Sequence, residues 1–448
     1  MKTDSPHVLC INPWIHDFAA FDFWAKPLGL LTIAGILREK GVRVSFMDCL
    51  DRFHPKASPP IKVLWDGRGP FRKTEIDLPR GLENIGKTYS RYGIDPQWFT
   101  ADLQHMEKPD LIFVTSLMTY WATGVKETIE RVKSVYPDVP LVLGGIYASL
   151  CYDHAIKETK ADRVIKGAGE HQLKDILQAY TGFELADSPL FDVPGNLDAL
   201  PFPALDLQTK LVYAPILTSR GCPFSCEYCA SSYLEPTFRQ RSPEIVFKEI
   251  VHWHQNFQVK NFAFYDDALL VNAGQYAFPL FERIIDSKMD LWFHTPNALH
   301  IRAITRQAAE LMFQAGFKTI RLGLETADFS RERRHDGKVA ENEFFNAIDH
   351  LKVAGFEKQQ IGAYLLCGLP GQNLDEVETS MQVVKQSGIL PVLAYYTPIP
   401  HTPMWEDAVT HSKFDILQHP VFTNNTLFPC IRSNTDLKRI SQLKNLKI

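Results

Sequence analysis

The chain has 448 residues, 45% of them hydrophobic and 22% charged, so it holds enough apolar material for two or three cored domains. A net charge of −4 offers no electrostatic footprint for nucleic acid or an anionic membrane, and the basic stretch DLKRISQLKNLKI (436–448) reads as a solvated helix end. No apolar run of about 18 residues is present and MKTDSPHVLCINPW lacks the long apolar core of a signal peptide, which predicts a cytoplasmic protein without a transmembrane segment. Cys10, Cys49, Cys151, Cys367 and Cys430 are widely scattered in mostly apolar surroundings. They read as buried reduced thiols rather than a disulfide framework.

In chain order, HVLCINPW (7–14) is a strand pattern and LGLLTIAGILREKG (28–41) a helix whose Gly41 is a plausible C-cap. Strands follow in VRVSFMDC (42–49), DLIFVTS (110–116), VPLVLGG (139–145) and DRVIKGAGE (162–170), with a helix in TGVKETIERVKSVYP (123–137). Continuous apolar strands alternating with helices describe a parallel sheet covered on both faces. This predicts a Rossmann-like domain over residues 1–185. Ligands of such sheets bind beyond the carboxyl ends of the strands, so Asn12, Ser116, Met118, Thr119, Gly144, Gly145, Gly167, Gly169 and Glu170 are expected to line one crevice. Residues 50–109 fit the alternation poorly; with Tyr89, Arg91 and Tyr92 they are either a cap over that crevice or a surface insertion.

A proline-rich passage at 186–210 is expected to be an extended linker, because proline fixes φ and removes a donor. Strand VYAPILTS (212–219) then opens a second alternation, with a helix near 243–256 started by Ser242 and Pro243. Five further strand and helix pairs run to PVLAYYTPI (391–399). Six βα units over 211–400 predict a partial barrel, and 401–448 is left as a poorly defined tail.

The loop after the first of these strands carries TSRGCPFSCEYC, with Cys222, Cys226 and Cys229 in the order CxxxCxxC. A structural zinc site or a closed iron–sulfur site takes four ligands, so three cysteines leave one position open unless a distant histidine completes a zinc knuckle. CxxxCxxC with aromatic Tyr228 before the last cysteine, placed after strand one of six βα units, resembles the radical S-adenosylmethionine superfamily. The resemblance implies a [4Fe–4S] cluster on the three cysteines, with S-adenosylmethionine as the missing ligand and the source of a 5′-deoxyadenosyl radical. It also implies cosubstrate contacts from Tyr228, from Asp266 and Asp267 in YDDALL, from Glu325 in LGLET, and from Gly368, Pro370 and Gly371 in LLCGLPGQNLDE. Arg239 and Arg241 either hold the cosubstrate carboxylate or form a solvated surface pair. Tyr395, Tyr396 and His401 are candidates to face substrate; His294 and Asn297, at the end of the third strand, could do so too, although a structural role for His294 is equally open. No general acid or base can be assigned.

KPLGLLTIAGILREKGVRVSFMDC, LVLGGIYASL, KGAGEHQLKDIL and LDALPFPALDL extend the resemblance to the cobalamin-binding members of the superfamily along most of the chain. The crevice residues named above would then contact cobalamin. The DxHxxG motif is absent, so the lower corrin face would meet the SLMTYW loop (116–121) instead of a histidine. The implied chemistry is methyl transfer to an unactivated carbon or to phosphorus through the radical and methylcobalamin, first of all to an unactivated carbon of a small-molecule or lipid-like substrate, with electrons from a partner such as flavodoxin or ferredoxin. Ring formation or rearrangement without methyl transfer is the alternative within the family. A methylthiotransferase with a second cluster on Cys10, Cys49 and Cys151, or a non-enzymatic cobalamin or redox sensor, are the readings from other classes.

Overall fold

The structure, a computed structural model, describes residues 5–59, 61–186, 195–329 and 339–445. It forms two compact units, Met1–Leu211 with His419–Val421, and Val212–Gln418 with Phe422–Ile448.

The first unit is built on β1 (His7–Asn12), β2 (Arg43–Asp48), β3 (Leu111–Val114), β4 (Leu141–Leu143) and β5 (Arg163–Val164). All pair in parallel, in the order β5-β4-β3-β1-β2. Alternate residues explain the unbroken apolar runs: Leu9, Ile11, Ile112 and Val114 enter one core, while Val8, Cys10, Leu111 and Phe113 enter the other. Both faces are dry because helices cover both. They include α1 (Leu28–Glu39), α2 (Pro96–His105), α3 (Ala122–Val135), α4 (Ile146–Leu150), α5 (Tyr152–Thr159) and α6 (Leu173–Thr181). Gly41, just past α1, takes the left-handed φ of 77° that a helix stop requires.

The insertion between β2 and β3 is rooted at the carboxyl end of β1. Ile15–Asp17 pairs with Ser90–Tyr92, which pairs with Lys73–Glu75. Glu127 of α3 fixes this small sheet by accepting from Arg91 Nε at 2.9 Å and from Arg131 Nε at 2.8 Å, with His16 Nε2 standing 3.0 Å from the same carboxylate. Burial works against the Glu127 carboxylate, but these three partners win and bring it down to about 2.

The described part of the proline-rich passage, 195–210, packs along α1. The Ala204 amide donates to Leu31 O at 2.9 Å, and Arg38 pairs with Asp206 through contacts of 2.8 and 2.7 Å. Leu197, Ala204 and Leu205 are buried. Gly35 makes this possible, since a Cβ there would stand 2.6 Å from the Phe202 carbonyl oxygen.

The second unit has β6 (Ala214–Ile216), β7 (Asn261–Phe264), β8 (Trp292–His294), β9 (Phe317–Glu325), β10 (Ile361–Cys367) and β11 (Leu390–Tyr395) in strictly sequential parallel order. This is the partial barrel that six βα units predict. The helices between the strands are α7 (Pro243–Phe257), α8 (Ala277–Ser287), α9 (Arg306–Ala315), α10 (Glu341–Ala354) and α11 (Leu374–Gln386). Pro243 opens α7 as expected, but Ser242 makes no side-chain cap bond. The residues expected to be a loose tail are folded: α12 (Trp405–His411) and α13 (Asn434–Asn445) frame two 3-10 turns, and Leu427, Phe428, Ile431, Ile440 and Leu443 are buried. Arg439 ties α13 to α11 through Asp375 at 2.5 Å and Glu378 at 2.7 Å.

The packing of 195–210 on α1 can be tested with two glycines of one helix. Gly35→Ala forces a Cβ against backbone and is expected to cost about 1–3 kcal/mol. Gly29, with nothing within 4 Å of its Cβ position, should become more stable by about 0.5–1 kcal/mol on substitution by alanine. Thermal unfolding of the two variants in parallel would show opposite shifts; equal shifts would contradict the docking.

Candidate functional site

Parallel strands deliver their following loops to one rim, and in the second unit that rim gathers the residues singled out by sequence. The segment after β6 is held first. Asp266, 3% exposed just beyond β7, accepts from the Thr218 amide at 3.0 and 3.1 Å, from the Thr218 hydroxyl at 2.6 Å and from the Ser219 hydroxyl at 2.6 Å. Burial raises its pKa while these donors oppose the rise. Three of these four contacts fall on Oδ1, and through them Asp266 positions the cysteine loop.

The loop then runs as Ser219–Arg220 paired antiparallel with Arg239–Gln240. At Gly221, φ is 79° and a Cβ would lie 2.9 Å from the carbonyl oxygens of Glu235 and Thr237, so only glycine fits the crossing. Cys226 is buried, and the Cys229 amide turns back to Cys226 O at 3.1 Å. The Ser231 amide donates to Cys229 Sγ at 3.5 Å; its hydroxyl, 3.3 Å from the same sulfur, donates to exposed Asp267 at 2.8 Å. On the other side His300 Nε2 lies 3.9 Å from Cys222 Sγ, and burial pushes the Cys222 thiol up to about 11. Among the described residues, no three Cys, His, Asp or Glu side chains are gathered tightly enough to hold an ion as they stand. The donor chemistry nevertheless fits an iron–sulfur cluster: three thiols on one short loop, with N–H groups facing two of the sulfurs.

Further round the rim, Glu325 ends β9 at φ 65°, where the pairing with β10 shifts register after Gly323. A bulge of this kind takes a side chain out of the strand's alternation, and a non-glycine left-handed residue costs of order 1 kcal/mol. Gly368 (φ 94°) and Gly371 (φ 65°) bend the turn after β10 around half-buried Pro370. Gln372 closes that turn by accepting from the Gly368 amide at 2.7 Å and donating to Leu366 O at 2.9 Å. Asn297 donates to Tyr265 O at 2.8 Å. Tyr228 is half-buried, and the backbone at Glu227 accepts from the Met404 amide at 3.0 Å.

The remaining candidates divide by burial, and His294 takes the structural one of the two roles open to it. His294 is fully buried, with Nδ1 on Thr319 at 3.0 Å and Nε2 on Asn261 at 3.1 Å, so it joins strands and faces no substrate. Arg241 is neither a ligand nor a solvated surface residue: it is buried against Glu249 at 2.7 Å and donates to Leu217 O at 3.0 Å. Arg239 pairs with Glu235 at 2.6 Å. Tyr395 is half-buried against Phe428, whereas Tyr396 is 4% exposed and its hydroxyl finds no partner among the described residues. His401 lies exposed and flat on Tyr233, with ring centroids 4.2 Å apart. Sequence reasoning missed Ser231, His300 and Gln372. For Ser231 and Gln372 the signal was adjacency to a motif; for His300 there was none.

In the first unit, the expected crevice residues divide into supports and exposed groups. Asn12 donates to Asp48 at 2.7 Å, and Ser116, fully buried, donates to Gly144 O at 2.7 Å and accepts from the Ala148 amide at 3.2 Å. Gly145 (φ 96°) lets that loop pass, since a Cβ would stand 2.3 Å from Ser116 O. Gly169 admits Ile33 and Ile165, and Thr119 and Glu170 are buried. Asn12, Ser116 and Gly145 therefore shape the crevice from behind. Met118 (44% exposed), Ile146 (37%) and Gly167, open on its Cβ side, are the groups that face outward. Two exposed apolar side chains at strand carboxyl ends suit the flat face of a corrin ring; Ile146 had been missed.

Residues 216–384 match the family model of the radical SAM superfamily, and that segment contains all three cysteines and the rim elements above. The barrel segment is thus a radical S-adenosylmethionine superfamily domain. Residues 100–177 match the B12 binding domain, so the chain carries a B12-binding-type unit ahead of that barrel. An uncharacterized methyltransferase of Pyrococcus horikoshii is 26% identical over 331 residues, covering 68% of this chain and 70% of that protein. The hopanoid C-2 methylase of Rhodopseudomonas palustris is 25% identical over 281 residues, 60% of this chain and 52% of that protein. Among solved structures, the radical S-adenosylmethionine methyltransferase TsrM of Kitasatospora setae superposes with a TM-score of 0.66 at 14% identity, covering 92% of this chain and 78% of that one.

Asp266→Ala would strand the donors of Thr218 and Ser219 at a cost of about 1–3 kcal/mol. Lower thermal stability and reduced iron uptake on anaerobic reconstitution are expected, with Asp267→Asn close to wild type in stability. Wild-type iron and unfolding temperature in Asp266→Ala would refute the positioning role.

Proposed function

We propose that this chain is a cobalamin-dependent methylase acting on an unactivated carbon of a small-molecule or lipid-like substrate. The observation that carries the reading is the order of parts: a B12-binding-type unit, then a partial barrel whose first strand feeds the three-cysteine loop. Cys222, Cys226 and Cys229 would hold the cluster, and Tyr228, Asp267, Glu325 and the Gly368–Gly371 turn would contact S-adenosylmethionine. Met118, Ile146 and Gly167 would face the corrin. With these groups bound, the site supplies a 5′-deoxyadenosyl radical and a transferable methyl group. The residues themselves position and exclude water: Asp266 fixes the loop, Gln372 the fifth-strand turn, and the buried tyrosine edge closes the rim near β11.

Relatives named as a hopanoid C-3 methylase and a bacteriochlorophyllide d C-8(2)-methyltransferase support an apolar substrate. Relatives named as an anaerobic magnesium-protoporphyrin IX monomethyl ester cyclase support ring formation as the second reading. The second-cluster alternative loses its footing, because Cys10 is buried in the core on one face of the first sheet and Cys49 in the core on the other. A cytoplasmic one-electron donor of the flavodoxin or ferredoxin type would supply the electrons.

Protein made anaerobically in cells supplied with cobalamin should show corrin absorption bands, near-stoichiometric cobalt and about 4 iron atoms per chain. Given reductant, S-adenosylmethionine and candidate lipids, it should release S-adenosylhomocysteine together with 5′-deoxyadenosine. 5′-Deoxyadenosine without S-adenosylhomocysteine would shift the assignment to ring formation or rearrangement. Cofactor binding with neither product would leave a sensor.

A further inference from the structure

Outside the CxxxCxxC motif, one side chain reaches a cysteine of the triad from a different strand. His300 ends the short strand Leu299–His300, which pairs in parallel with β9 opposite Leu322 and Gly323. Gly323 permits this approach, because a Cβ there would stand 3.2 Å from Ala298 Cβ. The imidazole is held against Phe224, with ring centroids 3.9 Å apart and planes tilted by 40°, and Phe224 lies inside the cysteine loop. In that orientation Nε2 points to Cys222 Sγ at 3.9 Å. This is the long end of the range for a hydrogen bond to a neutral thiol, and bonds to an ionised acceptor are shorter and stronger.

Resting on the cluster reading above, we propose that His300, as the Nε2–H tautomer, donates a hydrogen bond to the Cys222 thiolate and thereby sets the reduction potential of the cluster. One electron from the reductant adds one negative charge spread over iron and sulfur. A donor aimed at a ligating sulfur stabilises that more negative form more than the oxidised one, which raises the potential. His300 is a positioning residue in this sense, acting through Cys222 and not on substrate. Cys229 has a backbone donor in the Ser231 amide and Cys222 one from Phe224, so the imidazole is the side-chain donor to Cys222 that substitution can remove while the backbone donors stay.

His300→Phe keeps a flat ring beside Phe224 and removes the donor; His300→Gln keeps an N–H. The full chain, reconstituted anaerobically, would be titrated with dithionite under potential control while the electron paramagnetic resonance signal of the reduced cluster is followed. The expected result is iron content equal to wild type in both variants. At a fixed potential, the ratio of reduced to oxidised cluster should fall about tenfold in His300→Phe, a shift of ~59 mV for one electron, with His300→Gln returning toward wild type. An unchanged potential in His300→Phe overturns the proposal, as does equal loss of the cluster from both variants, which would mark the ring as packing alone. Cluster loss from His300→Phe with retention in His300→Gln also overturns it, because the ring nitrogen would then hold the cluster in place instead of setting its potential. A wild-type chain that takes up no [4Fe–4S] cluster overturns the cluster reading instead.

Discussion

Each of the two main sheets of this protein is entirely parallel, and a parallel strand has to be followed by a crossover before its neighbour can be laid down. The loops leaving the carboxyl ends are therefore forced to one rim, while the helices occupy the faces. Everything with chemical potential in the second unit follows from that constraint: the cysteine loop after β6, Asp266 and Asp267 after β7, Glu325 at the end of β9, and the two glycines after β10 reach the same rim from distant parts of the sequence. The same constraint in the first unit brings Met118, Ile146 and Gly167 to one end of five strands.

Rim loops leave many backbone groups outside the two main sheets, and side chains meet part of that need. Asp266 takes the donors of Thr218 and Ser219, Gln372 spans the turn at Gly368, and Ser116 links Gly144 to Ala148. A residue occupied in this way holds a loop in place but has little left to offer a ligand. This separates supports such as Asp266, Asn12 and Ser116 from the exposed groups of each site.

The architecture was legible because it is written in periodicity: apolar runs of strand length, helical spacing between them, and Pro243 and Gly41 at helix boundaries. The cysteine triad was legible because its ligands are close in sequence. What escaped depends on contacts between segments far apart. His294 and Arg241 carry the residue types of a binding site, but their partners Thr319, Asn261 and Glu249 could not be seen in the local pattern. His300 is separated by 78 positions from the cysteine it faces. The region after 400 lacks βα alternation and so looked formless, yet its buried Leu427, Phe428 and Ile431 pack without regular elements, and Arg439 anchors its last helix by charge.

The contact between Gly35 and the Phe202 carbonyl has an evolutionary side. A proline-rich passage between two domains looks like a neutral seam at which halves could be exchanged between relatives. Here the passage is fitted to the surface of α1, with the helix narrowed to a glycine where the chain crosses it and a charged pair, Arg38 and Asp206, fixing the register beyond. A crossover placed before residue 195 would give α1 a foreign strap whose backbone had never been matched to that glycine, whereas a seam at Leu211 would transmit helix and strap together as one heritable piece.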